Sequence, residues 1–99
     1  MIDKVVFVPE AVRDLAEAYA WYQERRPGLG EDFLRRVDAC IESIRRSPEL
    51  YAIAHGTYRR ALVRRFPFAV FYEHEGDTLT IYSVFHCAQD PQKWRGRLP

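Results

Sequence analysis

Long apolar runs are missing from this sequence. No stretch approaches the roughly 18 consecutive apolar residues that a membrane-spanning helix requires. The opening segment also carries Asp3, Lys4 and Glu10 where a secretory signal would need an unbroken apolar core. The sequence therefore predicts a cytoplasmic protein with no membrane segment.

Cysteine is scarce as well, because Cys40 and Cys87 are the only two in 99 residues. Without an extracellular context, two cysteines so far apart are more often separate thiols than a disulfide. The cysteines and the three histidines, His55, His74 and His86, lack the short paired spacings of zinc ligands. A glycine-rich phosphate loop is missing too. We therefore predict no metal and no cofactor.

Neither sign of charge dominates, since 15 lysines and arginines against 14 aspartates and glutamates give a formal net charge of +1. A dedicated nucleic-acid-binding domain would be strongly basic. The basic residues are clustered locally, because "YRRALVRR" places Arg59, Arg60, Arg64 and Arg65 within eight residues. Strand alternation predicts Arg60 and Arg64 on one face and Arg59 and Arg65, with Ala61, on the other.

The sequence contains enough hydrophobic residues to form one compact core. Hydrophobic residues make up 47% and charged residues 29% of the chain. A chain this short can close only one modest core. We therefore predict a single domain over residues 1–99.

The first half predicts a strand and two helices. "KVVFV" is a β-branched and aromatic run ended by Pro9, and the periodicity from Glu10 to Arg26 predicts a helix. The predicted buried face of this helix is Val12, Leu15, Tyr19 and Tyr22. After "PGLG", a second helix is predicted to begin at or just after Gly30 and to end at "SP". Its predicted apolar stripe is Phe33, Val37, Cys40, Ile41 and Ile44.

The second half predicts a loop, "PELYAIAHGT", and then three strands, "YRRALVRRF", "FAVFYEH" and "TLTIYSVFH". The predicted fold class is α+β: a small antiparallel-rich sheet packed on an N-terminal helical hairpin, in the order β-α-α-β-β-β, with a short C-terminal turn or helix. A helical hairpin covers only one face of a sheet. Both faces of the last two strands are apolar, so the second face needs another cover.

Five segments that span the chain carry a family resemblance: "PEAVRDLAEAYAWY", "GLGEDFLRRV", "SPEL", "RRALVRRFPFAVFY" and "VFHCAQDPQKW". In this order they resemble the RelE/ParE superfamily, the toxins of type II toxin–antitoxin modules, with a closer likeness to ParE than to RelE. The resemblance implies a cognate antitoxin that wraps exposed toxin surface in a hetero-oligomer. It also implies that any contact with operator DNA passes through the antitoxin.

One activity that the resemblance leaves open is ribosome-dependent cleavage of messenger RNA, as in RelE-like members. That chemistry needs cations and proton-transfer groups around a phosphate, and the resemblance implies basic residues on the middle strands and a tyrosine near the end. Arg60 lies near one basic position. The other positions fall on Leu62, Ala69, Cys87 or Ala88, and Trp94, whose indole cannot replace the tyrosine. His86 alone remains, as a general base or as a hydrogen-bonded structural residue.

The alternative implied by the ParE likeness is a non-catalytic toxin that binds DNA gyrase and blocks it. A third possibility is a non-toxic module that only forms a complex with its antitoxin. Binding needs complementary surface rather than aligned acids and bases, and arginine and tryptophan are common interface anchors. The candidate antitoxin or target contacts are Arg59, Arg60, Arg64, Arg65, His86, Lys93, Trp94 and Arg95. Trp94 is also expected to serve as an apolar cap that folds back, and the two roles can coexist.

Overall fold

The computed structural model describes residues 2–89, 91–96 and 98, without the side chains of Pro91 and Trp94. Within this part of the chain the strands are β1 (Lys4–Phe7), β2 (Ile53–His55), β3 (Tyr58–Leu62), β4 (Phe68–Glu75) and β5 (Thr78–His86). The helices are α1 (Pro9–Arg25), α2 (Leu29–Arg46) and the short α3 (Pro91–Arg95). Pro9 occupies the first turn of α1, where its missing N–H costs nothing.

The strands form one mixed sheet in the order β1-β5-β4-β3-β2. β1 pairs with β5 in parallel, and the other neighbouring strands are antiparallel. The predicted α+β fold with an N-terminal helical hairpin is confirmed. The prediction of a plain loop before β3 is wrong, because Ile53–His55 forms the edge strand β2. Three residues with an irregular register are too few to show a strand period in the sequence.

The helical hairpin covers one face of the sheet. The α2 stripe was predicted correctly, since all five of its residues are buried. The predicted face of α1 is wrong at Val12, whose side chain is 53% exposed. The buried residues of α1 are Ala11 and Ala18, with Leu15 and Tyr22 packed beside them. Small alanines allow α1 to lie close to β5, so the larger Val12 is displaced toward solvent.

The second face of the sheet has a core of its own. Ala69 and Phe71 of β4 and Phe85 of β5 are buried there together with Leu98. Leu98 follows α3 in the sequence, so a residue from the C-terminal part of the chain packs on this face. The surplus apolar face inferred from the sequence is therefore covered in part by the chain itself.

The joint of the helical hairpin depends on one side chain and two glycines. The side-chain oxygen Oε1 of Gln23 accepts hydrogen bonds from the backbone N–H groups of Gly28, at 3.2 Å, and Gly30, at 3.0 Å. Gly28 has a φ of 91°, a left-handed conformation that glycine adopts without strain. Helix α2 accordingly begins at Leu29, one residue before the predicted start.

Candidate functional site: an apolar groove beside strand β5

A groove of about 800 Å³ runs between α1 and the last residues of β5. Its walls are mainly aromatic and aliphatic, with acidic residues on the α1 side. The lining consists of Asp14, Glu17, Ala18, Trp21, Tyr22, Pro67, Phe68, Val84, Phe85, His86, Ala88 and Gln89. We call this feature the β5 groove.

The β5 groove lies where β5 extends beyond its parallel neighbour. β1 pairs with β5 only at Thr78–Ile81, and the N–H of Val8 donates the last bond of this ladder to the Ile81 carbonyl at 3.1 Å. Further along β5, the Val84 N–H instead donates to Oδ2 of Asp14 at 3.0 Å. A helix side chain therefore takes the place of a neighbouring strand at this edge.

Trp21 is the most prominent apolar side chain of the groove, since it is 51% exposed. Its ring meets Tyr22 edge-on, with 5.1 Å between centroids, and the guanidinium carbon of Arg25 lies 3.9 Å from its ring centroid. Exposed aromatic side chains in concave surfaces are typical interface anchors. The sequence interpretation overlooked Trp21, although an aromatic residue four positions before an arginine on a helix was a usable signal.

His86 reaches the groove at the end of β5 in a half-buried position. Its ring packs on Phe68, with 5.2 Å between centroids, and its Nδ1 accepts a hydrogen bond from the Ala88 N–H at 3.0 Å. His86 is the last residue of β5, and its hydrogen bond connects this strand end to the turn that follows.

The arginines of β3 separate as strand alternation predicted. Arg59 lies on the helix side with Ala61, where its Nη1 donates to the carbonyl of Tyr51 at 2.6 Å and to that of Glu49 at 3.3 Å. Arg59 therefore stabilises the segment before β2 through the backbone carbonyls of Glu49 and Tyr51. Arg60 and Leu62 are exposed, and Leu62 is 62% exposed.

Two further arginines and the C-terminal candidates lie elsewhere. β3 ends at Leu62, so Arg64 and Arg65 belong to the connection to β4 and strand alternation does not extend to them. Lys93 and Arg95 are exposed on α3. The side chain of Trp94 lies outside the described residues, so its predicted capping or contact role is untested.

A polar cluster on the second face was not anticipated from the sequence. The hydroxyl groups of Thr57 and Tyr82 donate to the two carboxylate oxygens of Glu73. The Tyr58 ring meets the Tyr82 ring edge-on, with 5.1 Å between centroids. Burial, followed by the charge of Glu73, raises the pKa of Tyr82, so its hydroxyl keeps its proton at neutral pH. The cluster ties the β2–β3 turn to the middle of the sheet.

In the part of the chain that the structure describes, no group of three or more His, Cys, Asp or Glu side chains is arranged to hold a metal ion. Within the same residues, no helix combines the length and apolarity that a membrane crossing requires.

A family model described as the ParE toxin of the type II toxin–antitoxin system parDE matches residues 5–91. The chain belongs to the ParE toxin family. The solved structure described as the chromosomal ParDE toxin–antitoxin system from P. aeruginosa superposes with a TM-score of 0.74. That likeness covers 86% of this chain and 96% of the other at 15% identity, so it concerns the fold alone. A search of curated proteins found no match.

The structure shows where the positions expected to be basic in a RelE-like nuclease lie in this ParE-family chain. The positions at which a RelE-like member was expected to carry further basic residues are Leu62, Ala69, and Cys87 or Ala88. Leu62 and Cys87 are exposed, whereas Ala69 is 3% exposed and belongs to the second core. Leucine and alanine side chains supply neither positive charge nor proton transfer, and a cysteine thiol supplies no positive charge.

Proposed function

We propose that this chain is the toxin of a type II toxin–antitoxin pair and that it arrests growth by binding DNA gyrase. A cognate antitoxin neutralises it in the cytoplasm by forming a hetero-oligomer with it. Operator DNA is reached only through the antitoxin. The observation that carries the choice of binding over cutting is the pair Leu62 and Ala69, which places apolar side chains where cleavage would need cations.

The β5 groove is the surface that we assign to the antitoxin. It is concave, its walls are largely apolar, and it carries the half-exposed Trp21 beside the part of β5 that extends beyond its pairing with β1. An amphipathic segment can bury its apolar side chains in such a groove. Of the predicted contacts, His86 lines this groove, whereas Arg60 and Arg64 lie outside its lining and remain available to the target.

Growth measurements test the toxin assignment. Induction of this chain alone in bacteria should arrest growth, and co-expression of the small protein encoded beside it should restore growth. Growth that is unaffected by the chain, together with the absence of a complex between the two proteins, would contradict the assignment. A tight complex without growth arrest would identify the non-toxic module instead.

A second experiment identifies the target. The purified chain is added in parallel to a gyrase supercoiling reaction and to a translation extract that contains messenger RNA. We expect inhibition of supercoiling and intact RNA. Cleaved RNA with unchanged supercoiling would replace the gyrase proposal with the ribosome-dependent nuclease.

A further inference from the structure

A second depression, of about 500 Å³, lies between the first half of α2 and the connection from β3 to β4. Four arginines contribute to it, together with one aspartate and three apolar residues. The lining consists of Arg26, Leu29, Asp32, Arg35, Arg36, Ala39, Arg65 and Phe66. We call it the arginine pocket, and it shares no lining residue with the β5 groove.

The charges of the arginine pocket are only partly balanced. Arg35 pairs with Asp32 on the same helix. Among the described residues, the guanidinium groups of Arg26, Arg36 and Arg65 form neither an ion pair nor a hydrogen bond. Arg36 is also half-buried, so its charge has lost part of its hydration without gaining a partner. The pocket is therefore lined by three arginines that no described acidic group neutralises, of which Arg26 and Arg65 are exposed to water.

Arg65 has an unusual backbone for an arginine. Its φ is 71°, and among the described residues it is the one non-glycine residue with a positive φ. The connection around it is closed by hydrogen bonds from the Val63 N–H to the Phe68 carbonyl, at 2.9 Å, and from the Phe68 N–H to the Phe66 carbonyl, at 2.8 Å. Glycine would adopt this conformation with less strain. Backbone strain retained at a charged residue of a pocket is typical of functional positions.

The floor of the pocket is apolar and firmly packed. Phe66 meets Tyr22 edge-on at 4.9 Å between centroids and Phe33 at 5.4 Å, and Leu29 and Ala39 lie on the α2 side. A rim of arginines over such a floor matches a ligand that combines carboxylates with an apolar side chain. Guanidinium groups bind carboxylates with paired hydrogen bonds, and an apolar side chain of the ligand would pack on Phe66.

We propose that the arginine pocket binds a segment of a protein partner in which glutamate or aspartate residues flank an apolar residue. A nucleic-acid strand fits less well, because the chain has a net charge of only +1 and the pocket itself contains Asp32. This inference does not depend on gyrase inhibition or on toxicity. Peptide binding to the purified chain reports on the pocket in either case.

The test uses a fluorescently labelled peptide that alternates pairs of glutamate and aspartate with single leucines. Its control is the same peptide with glutamine and asparagine in place of the acids. A short single-stranded DNA and inorganic phosphate are titrated under the same conditions. We expect the acidic peptide to bind and its affinity to fall as salt is added, because the contacts are charge pairs. Equal binding of both peptides, or tighter binding of the DNA, would overturn the proposal.

Substitutions of the pocket arginines test whether the acidic peptide binds at this pocket. Arg65→Gly removes one guanidinium and relieves the left-handed strain, so we expect peptide affinity to fall about tenfold or more. Its urea unfolding midpoint should be unchanged or higher. Arg36→Gln should weaken binding similarly, whereas the control Arg46→Gln, exposed in the last turn of α2, should not. Affinities within twofold of the wild type for both pocket variants would refute the assignment, and the urea midpoints show whether each variant is folded.

Discussion

The carboxylate of Asp14 in α1 accepts a hydrogen bond from the backbone N–H of Val84 in β5, 3.0 Å away and 70 residues later in the sequence. β1 has already ended at this level of the sheet, so the helix side chain satisfies a donor that would otherwise need another strand. The same contact fixes the distance between α1 and β5, and hence the width of the β5 groove.

Removal of the Asp14 carboxylate should therefore destabilise the protein. We expect Asp14→Ala to lower the free energy of unfolding by about 1–3 kcal/mol, because it leaves a buried N–H without an acceptor. Asp14→Asn keeps a hydrogen-bond acceptor and should lower the free energy of unfolding by less than Asp14→Ala does. The control is Glu17→Ala, an exposed residue on the same helix and the same groove. Urea unfolding measures all three, and equal losses for Asp14→Ala and Glu17→Ala would contradict the role of Asp14.

Trp21→Ala tests the assignment of the β5 groove to the antitoxin. Truncation of an aromatic anchor typically costs about 2 kcal/mol or more of binding free energy, which is about a thirtyfold loss of affinity. Val12→Ala is the matched control, because Val12 lies on the same helix, is exposed to the same extent and does not line the groove. Calorimetry with the purified antitoxin measures the difference. Similar affinities of the two variants for the antitoxin would contradict its assignment to this groove.

Alkaline pH should lower the free energy of unfolding, because Tyr72 ionises. Its hydroxyl donates to the Pro48 carbonyl at 2.6 Å, and burial, partly offset by the charge of Arg59, raises its pKa to about 12. An unfolded tyrosine has a pKa of about 10. The protonated form is thus favoured by folding, so its stabilising contribution is complete below pH 10 and is lost as the pH rises toward 12.

The variant Tyr72→Phe isolates this effect. At neutral pH it should be less stable than the wild type by about 1–2 kcal/mol, because the hydrogen bond to Pro48 is gone. Between pH 10 and 12 the difference should shrink, since the variant has no hydroxyl to ionise at position 72. Urea midpoints across this range measure the difference, and a constant gap would show that Tyr72 does not govern the alkaline behaviour.

The two thiols should differ sharply in reactivity. Cys40 is buried, its Sγ lies 3.7 Å from the Leu62 carbonyl as a weak donor, and burial raises its pKa to about 11. Cys87 is exposed. At mildly alkaline pH we expect iodoacetamide to modify Cys87 at least about a hundred times faster than Cys40, because the thiolate is the reactive form. Peptide mass spectrometry follows each site, and equal rates in denaturant serve as the control.

The hairpin joint should tolerate no side chain at position 30. A Cβ on Gly30 would lie 2.8 Å from the Tyr19 ring and 2.9 Å from Oε1 of Gln23. We expect Gly30→Ala to cost about 1–3 kcal/mol of unfolding free energy, as overpacked sites do. The cost should be smaller in a Tyr19→Ala background, where the ring is absent. Additive losses in this double-mutant cycle would show that contact with Tyr19 is not the cause.

Local patterns in the sequence decided much of the fold. The α2 stripe from Phe33 to Ile44 follows a clear helical period, and Glu75 to Asp77 marks the β4–β5 hairpin, so both were predictable. The strand β2 was not, because three residues carry too little pattern. The prediction that Val12 is buried was wrong because the hydrophobic period of α1 fits two neighbouring faces of the helix. The close approach of α1 to β5 buries the face that carries Ala11 and Ala18.

The fold class, the ParE resemblance and the residue types that argue against RelE-like cleavage follow from the order of residues along the chain. The positions of the candidate sites depend on tertiary packing. It brought Asp14 to Val84, placed Trp21 on a groove and gathered Arg26, Arg36 and Arg65 around one pocket. It also turned Arg59 into a structural donor to backbone carbonyls. Such pairings join distant segments through packing, and no periodicity or spacing along the chain encodes them.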